Sequence, residues 1–119
     1  MPKILYIEDD PNNRALVRRI LMAYDFEVQE SDNALDGIEL AKAYQPDLIL
    51  MDISMPGMDG LTATGEIRKS SEISDITVIA LTANAMEGDR ELTLNAGCNG
   101  YISKPINVDT FIDEISEFL

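Results

Sequence analysis

Four short apolar runs in this chain each end in residues able to handle a phosphoryl group. Ile4–Ile7 runs into Glu8, Asp9 and Asp10, and Leu48–Met51 runs into Asp52. Ile76–Leu81 ends at Thr82, and Tyr101–Ser103 ends at Lys104-Pro105. Carboxylates gathered at one point repel one another, and a hard divalent cation relieves that repulsion. Mg²⁺ commonly takes one or two carboxylates, waters and phosphate oxygens. Glu8, Asp9 and Asp52 are the candidate ligands, and the Ser54 carbonyl just beyond Asp52 is a further one. A carboxylate is also a nucleophile that can form an aspartyl phosphate. Phosphoryl transfer is then largely positioning and neutralisation of the three equatorial oxygens. The cation takes one oxygen, Lys104 a second, and the Thr82 hydroxyl with backbone N–H groups nearby, such as that of Ala83, a third.

Taken singly, these residues say little. Asp10 alone reads as a helix cap, Lys104 as a solvated lysine, and Thr82 as an ordinary strand-end threonine. Asp52 is different, because an acid closing a four-residue apolar run is a poor structural choice without a partner. Their joint placement at four strand ends carries the signal. It requires parallel strands in one sheet, whose carboxyl edge is where open α/β folds place their sites.

The rest of the chain supplies that frame. Lys3–Ile7 reads as a strand, followed by a helix with Asp10 as N-cap and Pro11 at its first position. Leu16, Val17, Ile20, Leu21 and Tyr24 recur along that helix at helical spacing. Phe26–Glu30 alternates like a strand exposed on one face. Asp32 or Asn33 caps a second helix, with Leu35, Ile38, Ala41 and Tyr44 facing inward and a stop at Gln45-Pro46. Asp47–Met51 is the most apolar strand, as expected of one covered on both faces. Ser54–Gly60 is loop, Leu61–Lys69 a helix weakened by Gly65, and Ile76–Leu81 a fourth strand. Met86–Asn95 is a helix ended by Ala96-Gly97, and Tyr101–Ser103 is a fifth strand. Val108, Phe111, Ile112, Ile115, Phe118 and Leu119 mark the last helix. Five strand–helix alternations predict a doubly wound α/β fold with a parallel sheet.

Composition narrows the chemistry. At 119 residues the expectation is a single domain spanning 1–119. The net charge of −13 argues against nucleic acid and against anionic membrane surfaces. No apolar stretch approaches the roughly 20 residues of a membrane span, and no signal peptide is recognisable at the start. The chain has no histidine and one cysteine, Cys98. That excludes zinc sites of the usual kinds, Ser-His-Asp hydrolysis and a phosphohistidine carrier. A single cysteine fits a reducing cytoplasm; Cys98 reads as a small buried hydrophobe. Met55, Met58 and Met86 read as gap fillers rather than partner contacts. Gly60 and Gly97 read as backbone-geometry residues, Gly97 as a helix C-cap.

Over essentially its full length the chain resembles the CheY-like receiver domain of two-component response regulators. The matching segments are Ile-Leu-Tyr-Ile-Glu-Asp-Asp (4–10), Asp-Leu-Ile-Leu-Met-Asp-Ile-Ser-Met-Pro-Gly-Met-Asp-Gly (47–60), Ala-Leu-Thr-Ala (80–83) and Gly-Tyr-Ile-Ser-Lys-Pro-Ile (100–106). The resemblance implies a flavodoxin-like (βα)5 fold with strand order 2-1-3-4-5. It implies that Asp52 is the phosphoacceptor, taking phosphate from the phosphohistidine of a sensor histidine kinase or a histidine phosphotransfer protein. Asp9, Asp52 and the Ser54 carbonyl would bind Mg²⁺, with Mn²⁺ an alternative, and Glu8 would act through a coordinated water. Thr82, Lys104 and the Ala83 N–H would hold the phosphoryl oxygens. Tyr101 would change rotamer as Thr82 moves, reshaping the surface of the fourth helix, fifth strand and fifth helix for a downstream protein target. Lys104-Pro105 is a candidate cis bond. Ser54 and Asn84, flanking Asp52, would tune phosphate lifetime.

Glu8, the Leu-Thr-Ala-Asn-Ala-Met-Glu-Gly-Asp run and the Gly-Cys-Asn-Gly-Tyr-Ile-Ser-Lys-Pro-Ile ending resemble DivK-type single-domain regulators and receivers of hybrid kinases. The start at Met1 favours the former. The expected state is a cytoplasmic monomer that processes no free substrate and so is not an enzyme in the usual sense. Asn13, Arg14 and Arg18 are expected on the exposed, kinase-facing side, so that charge reversal at Arg14 slows phosphotransfer without changing Mg²⁺ affinity. Two other functions fit the sequence less well. A flavodoxin-type cofactor binder needs a Ser/Thr/Gly-rich phosphate cradle where this chain has Glu-Asp-Asp-Pro-Asn-Asn. A phosphatase of the haloacid-dehalogenase kind wants a second Asp at the position of Ser54.

Overall fold

The computed structural model describes residues 1–83 and 87–119; Asn84 and Met86 lie outside the described residues. The elements alternate in chain order: β1 (Lys3–Ile7), α1 (Pro11–Ala23), β2 (Glu27–Ser31), α2 (Ala34–Tyr44) and β3 (Leu48–Asp52). Then follow α3 (Gly60–Lys69), β4 (Thr77–Thr82), α4 (Glu87–Asn95), β5 (Gly100–Ser103) and α5 (Phe111–Ser116). The five strands are parallel in the order β2-β1-β3-β4-β5. β3 is central and buried at every position, which is why its sequence carries no alternation.

Successive side chains on a strand face opposite sides of the sheet, and the core accordingly has two halves. Ile4, Tyr6, Leu48, Leu50, Ile79 and Leu81 pack with Val17, Ile20 and Leu21 of α1 and with Phe111 and Ile115 of α5. Leu5, Ile7, Ile49, Met51, Val78 and Ala80 pack with Ile38 and Ala41 of α2 and with Ala63 and Ile67 of α3. Met55 belongs to the second cluster and Met58 packs against it, so both fill core space as expected.

The helix starts follow local chemistry. Asp10 caps α1 by accepting from the Asn12 N–H at 2.8 Å, with Pro11 next. Asn33, not Asp32, caps α2, accepting from the Asp36 N–H at 2.8 Å. Asp59 caps α3 through the Thr62 N–H. Gly97, at φ +110°, closes the turn after α4.

Three expectations need correction. Leu16 and Tyr24 of the first helical stripe are exposed; the buried face of α1 is Val17, Ile20 and Leu21. Leu35 of α2 is 64 % exposed, because the helix turns Ala34 and Gly37 to the sheet instead. A Cβ on Gly37 would lie 2.5 Å from the Ile7 side chain, so the small residue sets which face can approach. Helix α5 is only six residues long, and Val108 and Leu119 stand exposed outside it.

Candidate functional site

Strand register assembles the site. Ile7 pairs with Met51, so the next residues, Glu8 and Asp52, emerge side by side. Asp52 pairs with Leu81 and Thr82 with Ser103, which brings Asp52, Thr82 and Lys104 to the same edge. Glu8, Asp52 and Thr82 are buried there, while Asp9 is exposed beside them. Gly60, at the start of α3, lies against the back of this edge: a Cβ there would be 2.4 Å from the Asp52 carbonyl oxygen.

The polar contacts are dense. The Lys104 ammonium donates to Glu8 Oε1 at 2.8 Å and pairs with Asp52 Oδ1 at 3.2 Å. Glu8 Oε1 also accepts from the Tyr6 hydroxyl at 3.0 Å and from Asn13 Nδ2 at 3.3 Å. The Ser54 N–H donates to Asp52 Oδ1 at 3.2 Å. The Lys104 N–H donates to the Thr82 carbonyl at 2.7 Å, and the Lys104-Pro105 bond is cis. Among the described residues, every buried side-chain nitrogen and oxygen has a partner.

Electrostatics separates the two buried carboxylates. Burial pushes Asp52 up to about 7, helped by its hydrogen bond with Glu8 and by the Glu8 charge. Burial opposes the charge on Glu8 as well. Its hydrogen bonds with Asp52, Lys104 and Tyr6 outweigh that and hold it at about 2. Burial also works against the Lys104 charge, but Glu8 and Asp52 prevail and raise it. The two carboxyls therefore behave as one coupled acid that shares a proton. Burial and the Glu8 charge raise Tyr6 far above its usual range, so its hydroxyl remains a donor.

One carboxylate oxygen each from Glu8, Asp9 and Asp52 lies within 4.8 Å of the others. This all-oxygen donor set fits Mg²⁺ or another hard divalent cation. Ser54 sits in the loop directly after β3 and is exposed; Ala83 is exposed after β4. Tyr101 is half-buried against the core on the α2/α3 side of the sheet and borders a cleft with Arg90, Ser103, Pro105 and Asn107. Cys98 is buried beside Thr64, and burial pushes its thiol up.

Asn13 and Arg14 are not free surface residues. Asn13 points at Glu8, and Arg14 donates to the Glu8 main-chain carbonyl at 2.7 Å while facing Glu30. Charge reversal at Arg14 would therefore disturb the carboxylate cluster itself. Of the three residues only Arg18 is exposed, paired with Glu30 at 2.6 Å. Sequence reasoning missed the role of Tyr6, although a Tyr two residues before an acid on one strand shares its face.

The parallel sheet, its strand order and the acid–lysine edge define a receiver fold, and residues 4–116 match the response regulator receiver domain. The chain belongs to that family. It is 42% identical to the polar-differentiation response regulator DivK of Brucella anthropi, covering 100% of this chain and 98% of that protein. It is 40% identical to the Brucella melitensis DivK over 116 residues. Among solved structures it resembles the receiver domain of the Pseudomonas aeruginosa sensor histidine kinase PA1611, which has magnesium coordinated in its active-site cleft. That match has 34% identity and a TM-score of 0.89, covering 98% of this chain and 96% of the other. The chemotaxis protein CheY4 of Vibrio cholerae shares the fold at a TM-score of 0.94 with 24% identity. The chain is thus a two-component signalling domain. No helix among the described residues is long and apolar enough to cross a membrane.

Proposed function

We propose that Asp52 is the phosphoacceptor of a Mg²⁺-dependent receiver that takes its phosphoryl group from a histidine kinase or a histidine phosphotransfer protein. The observation that carries this reading is the Lys104 ammonium held between Glu8 and Asp52 at the carboxyl edge of the sheet. A bound Mg²⁺ supplies neutralising charge for the phosphoryl oxygens. Asp9 and Asp52, with the Ser54 carbonyl, are its ligands in this reading, and Glu8 reaches it through water. An oxygen of Asp52 attacks phosphorus, the O–P bond forms as the donor's P–N bond breaks, and the electron pair returns to the imidazole. Lys104 then shifts from the carboxylates to a phosphoryl oxygen. Thr82 and the Ala83 N–H hold another, and Tyr101 follows Thr82 to alter the cleft between α4 and α5 that a target protein reads. The chain acts here as a single domain at 1–119 and catalyses its own phosphorylation and dephosphorylation.

Intact mass after incubation with acetyl phosphate tests this reading. One added phosphoryl group is expected with Mg²⁺, and none without Mg²⁺ or in Asp52→Asn. The likeness to the sensor-kinase receiver favours a second reading, in which Asp52 passes its phosphate onward to a phosphotransfer protein. Loss of the label to such a protein's histidine, rather than to water, would distinguish the two.

A further inference from the structure

Three donors converge on one oxygen of Glu8. Oε1 accepts from Lys104 at 2.8 Å, Tyr6 at 3.0 Å and Asn13 at 3.3 Å. Oε2 has a long contact with the Asp10 N–H, at 3.5 Å, and the carboxyl is also hydrogen-bonded to Asp52. Three donors thus fix the carboxylate at one oxygen, and an oxygen of Glu8 lies within 4.8 Å of oxygens of Asp9 and Asp52. The donors differ in permanence. Lys104 is needed elsewhere once a phosphoryl group arrives. Asn13 is half-buried and open to replacement by water. Tyr6, on β1, is fully buried in the core half shared with α1 and α5, and its hydroxyl donates to Glu8.

We propose that Tyr6 is a positioning residue of the metal centre: its hydroxyl orients Glu8 toward the cation and keeps Glu8 satisfied when Lys104 moves to the phosphoryl group. The inference rests on the Mg²⁺-dependent reading above and adds a residue to it. Glutamate is the side chain that makes the contact possible. An aspartate at position 8, one methylene shorter, would withdraw its oxygens from Tyr6 by about 1.5 Å. Residues behind a metal ligand commonly matter nearly as much as the ligand, because they fix its orientation.

The alternative is that the buried hydroxyl simply needs an acceptor, and a double-mutant cycle separates the two. Mg²⁺ dissociation constants are measured by calorimetry for the wild type, Tyr6→Phe, Glu8→Asp and the double variant, with thermal unfolding in parallel. Tyr6→Phe is expected to weaken Mg²⁺ binding about tenfold in the Glu8 protein. In the Glu8→Asp background its loss should be less than about twofold, since contacting residues couple in this way. An unchanged affinity in Tyr6→Phe with only a lower melting temperature would overturn the proposal and leave the metal centre standing. An equal loss in both backgrounds would overturn it too, since Tyr6 would then not act through Glu8. A wild type that binds no Mg²⁺ overturns the metal centre and the proposal together. A further check needs no variant: the Tyr6 ring resonances of the wild type must shift as Mg²⁺ saturates, and constant resonances contradict the proposal.

Discussion

The Lys104 ammonium sits nearer to Glu8, at 2.8 Å, than to Asp52, at 3.2 Å. The side chain proposed to grip the phosphoryl group is thus held more closely by Glu8 than by the proposed phosphoacceptor. Burial raises Asp52 while hydrogen bonds hold Glu8 low, so the coupled pair favours a proton on the side of Asp52. A cation bound by the cluster would displace that proton.

Mg²⁺ affinity should therefore depend on pH. Below about 7 the proton on Asp52 competes with the cation, and above it the carboxylate is free. Affinity is expected to rise by up to about tenfold per pH unit below that value and to level off above it. Calorimetric titration at a series of pH values checks this; an affinity flat from about pH 6 to about pH 8 would contradict the coupling.

Asp52→Asn should remove the proposed phosphoacceptor and stabilise the protein. Its folded-state value lies above the ordinary carboxylate value, so ionisation of Asp52 costs stability as pH rises through about 7, and the penalty is absent below the unfolded value. At pH 8 without metal, the variant is expected to gain about 1 kcal/mol, seen as a melting point higher by roughly 3–6 °C. The difference should shrink as pH falls below that of Asp52.

Removing the lysine acts in the opposite sense. Lys104→Met leaves Glu8 and Asp52 buried without their cation and should cost about 2–4 kcal/mol near pH 8. Added Mg²⁺ should restore part of this, because it supplies the missing charge. Denaturant unfolding with and without Mg²⁺ reads both effects.

Gly60→Ala tests the packing behind Asp52. The new Cβ would meet the Asp52 carbonyl oxygen and the Ile53 Cα, both backbone atoms. A destabilisation of about 1–3 kcal/mol is expected, with slower labelling by acetyl phosphate because Asp52 is pushed from its position. A variant labelled at the wild-type rate would show that the strand end relaxes freely.

At the opposite edge, Arg68 ties α3 to the starts of β4 and β5. Its guanidinium donates to the carbonyls of Gly97, Ser74 and Ile76 and to Asn99 Oδ1. Arg68→Ala should cost about 2–3 kcal/mol of stability and leave Mg²⁺ affinity unchanged, as both titrations together would show.

The frame of the site was legible because four of the five strands run into a charged or hydroxyl residue at one edge. Asp52 after Leu48–Met51 and Lys104-Pro105 after Ile102-Ser103 mark strand ends whatever the helices do. Caps at Asp10-Pro11 were equally local. Helix faces were legible only in part: Val17, Ile20, Leu21, Ile38 and Ala41 are buried as their spacing predicts, but Leu16 and Leu35 match the same spacing and stand exposed. What decided them was small-residue fit: Gly37 lets α2 sit on Ile7, and no periodicity of large residues reports that. The Tyr6–Glu8 contact lay hidden for another reason. A tyrosine inside an apolar run reads as core, and only the depth of Glu8, 1 % exposed, shows that its hydroxyl has an acidic partner. Arg14 looked like surface for docking because its bond goes to a main-chain carbonyl, which leaves no mark in a sequence.

The central claim is that the phosphoryl group resides on Asp52. The most direct measurement labels the wild type with acetyl phosphate and Mg²⁺, reduces it with borohydride, and maps the modified residue by peptide mass spectrometry. An acyl phosphate on aspartate is reduced to homoserine, and the account predicts homoserine at position 52 alone, lost when Mg²⁺ is omitted. Homoserine at Asp9 or Asp10, or none anywhere in a protein that binds Mg²⁺, would contradict it.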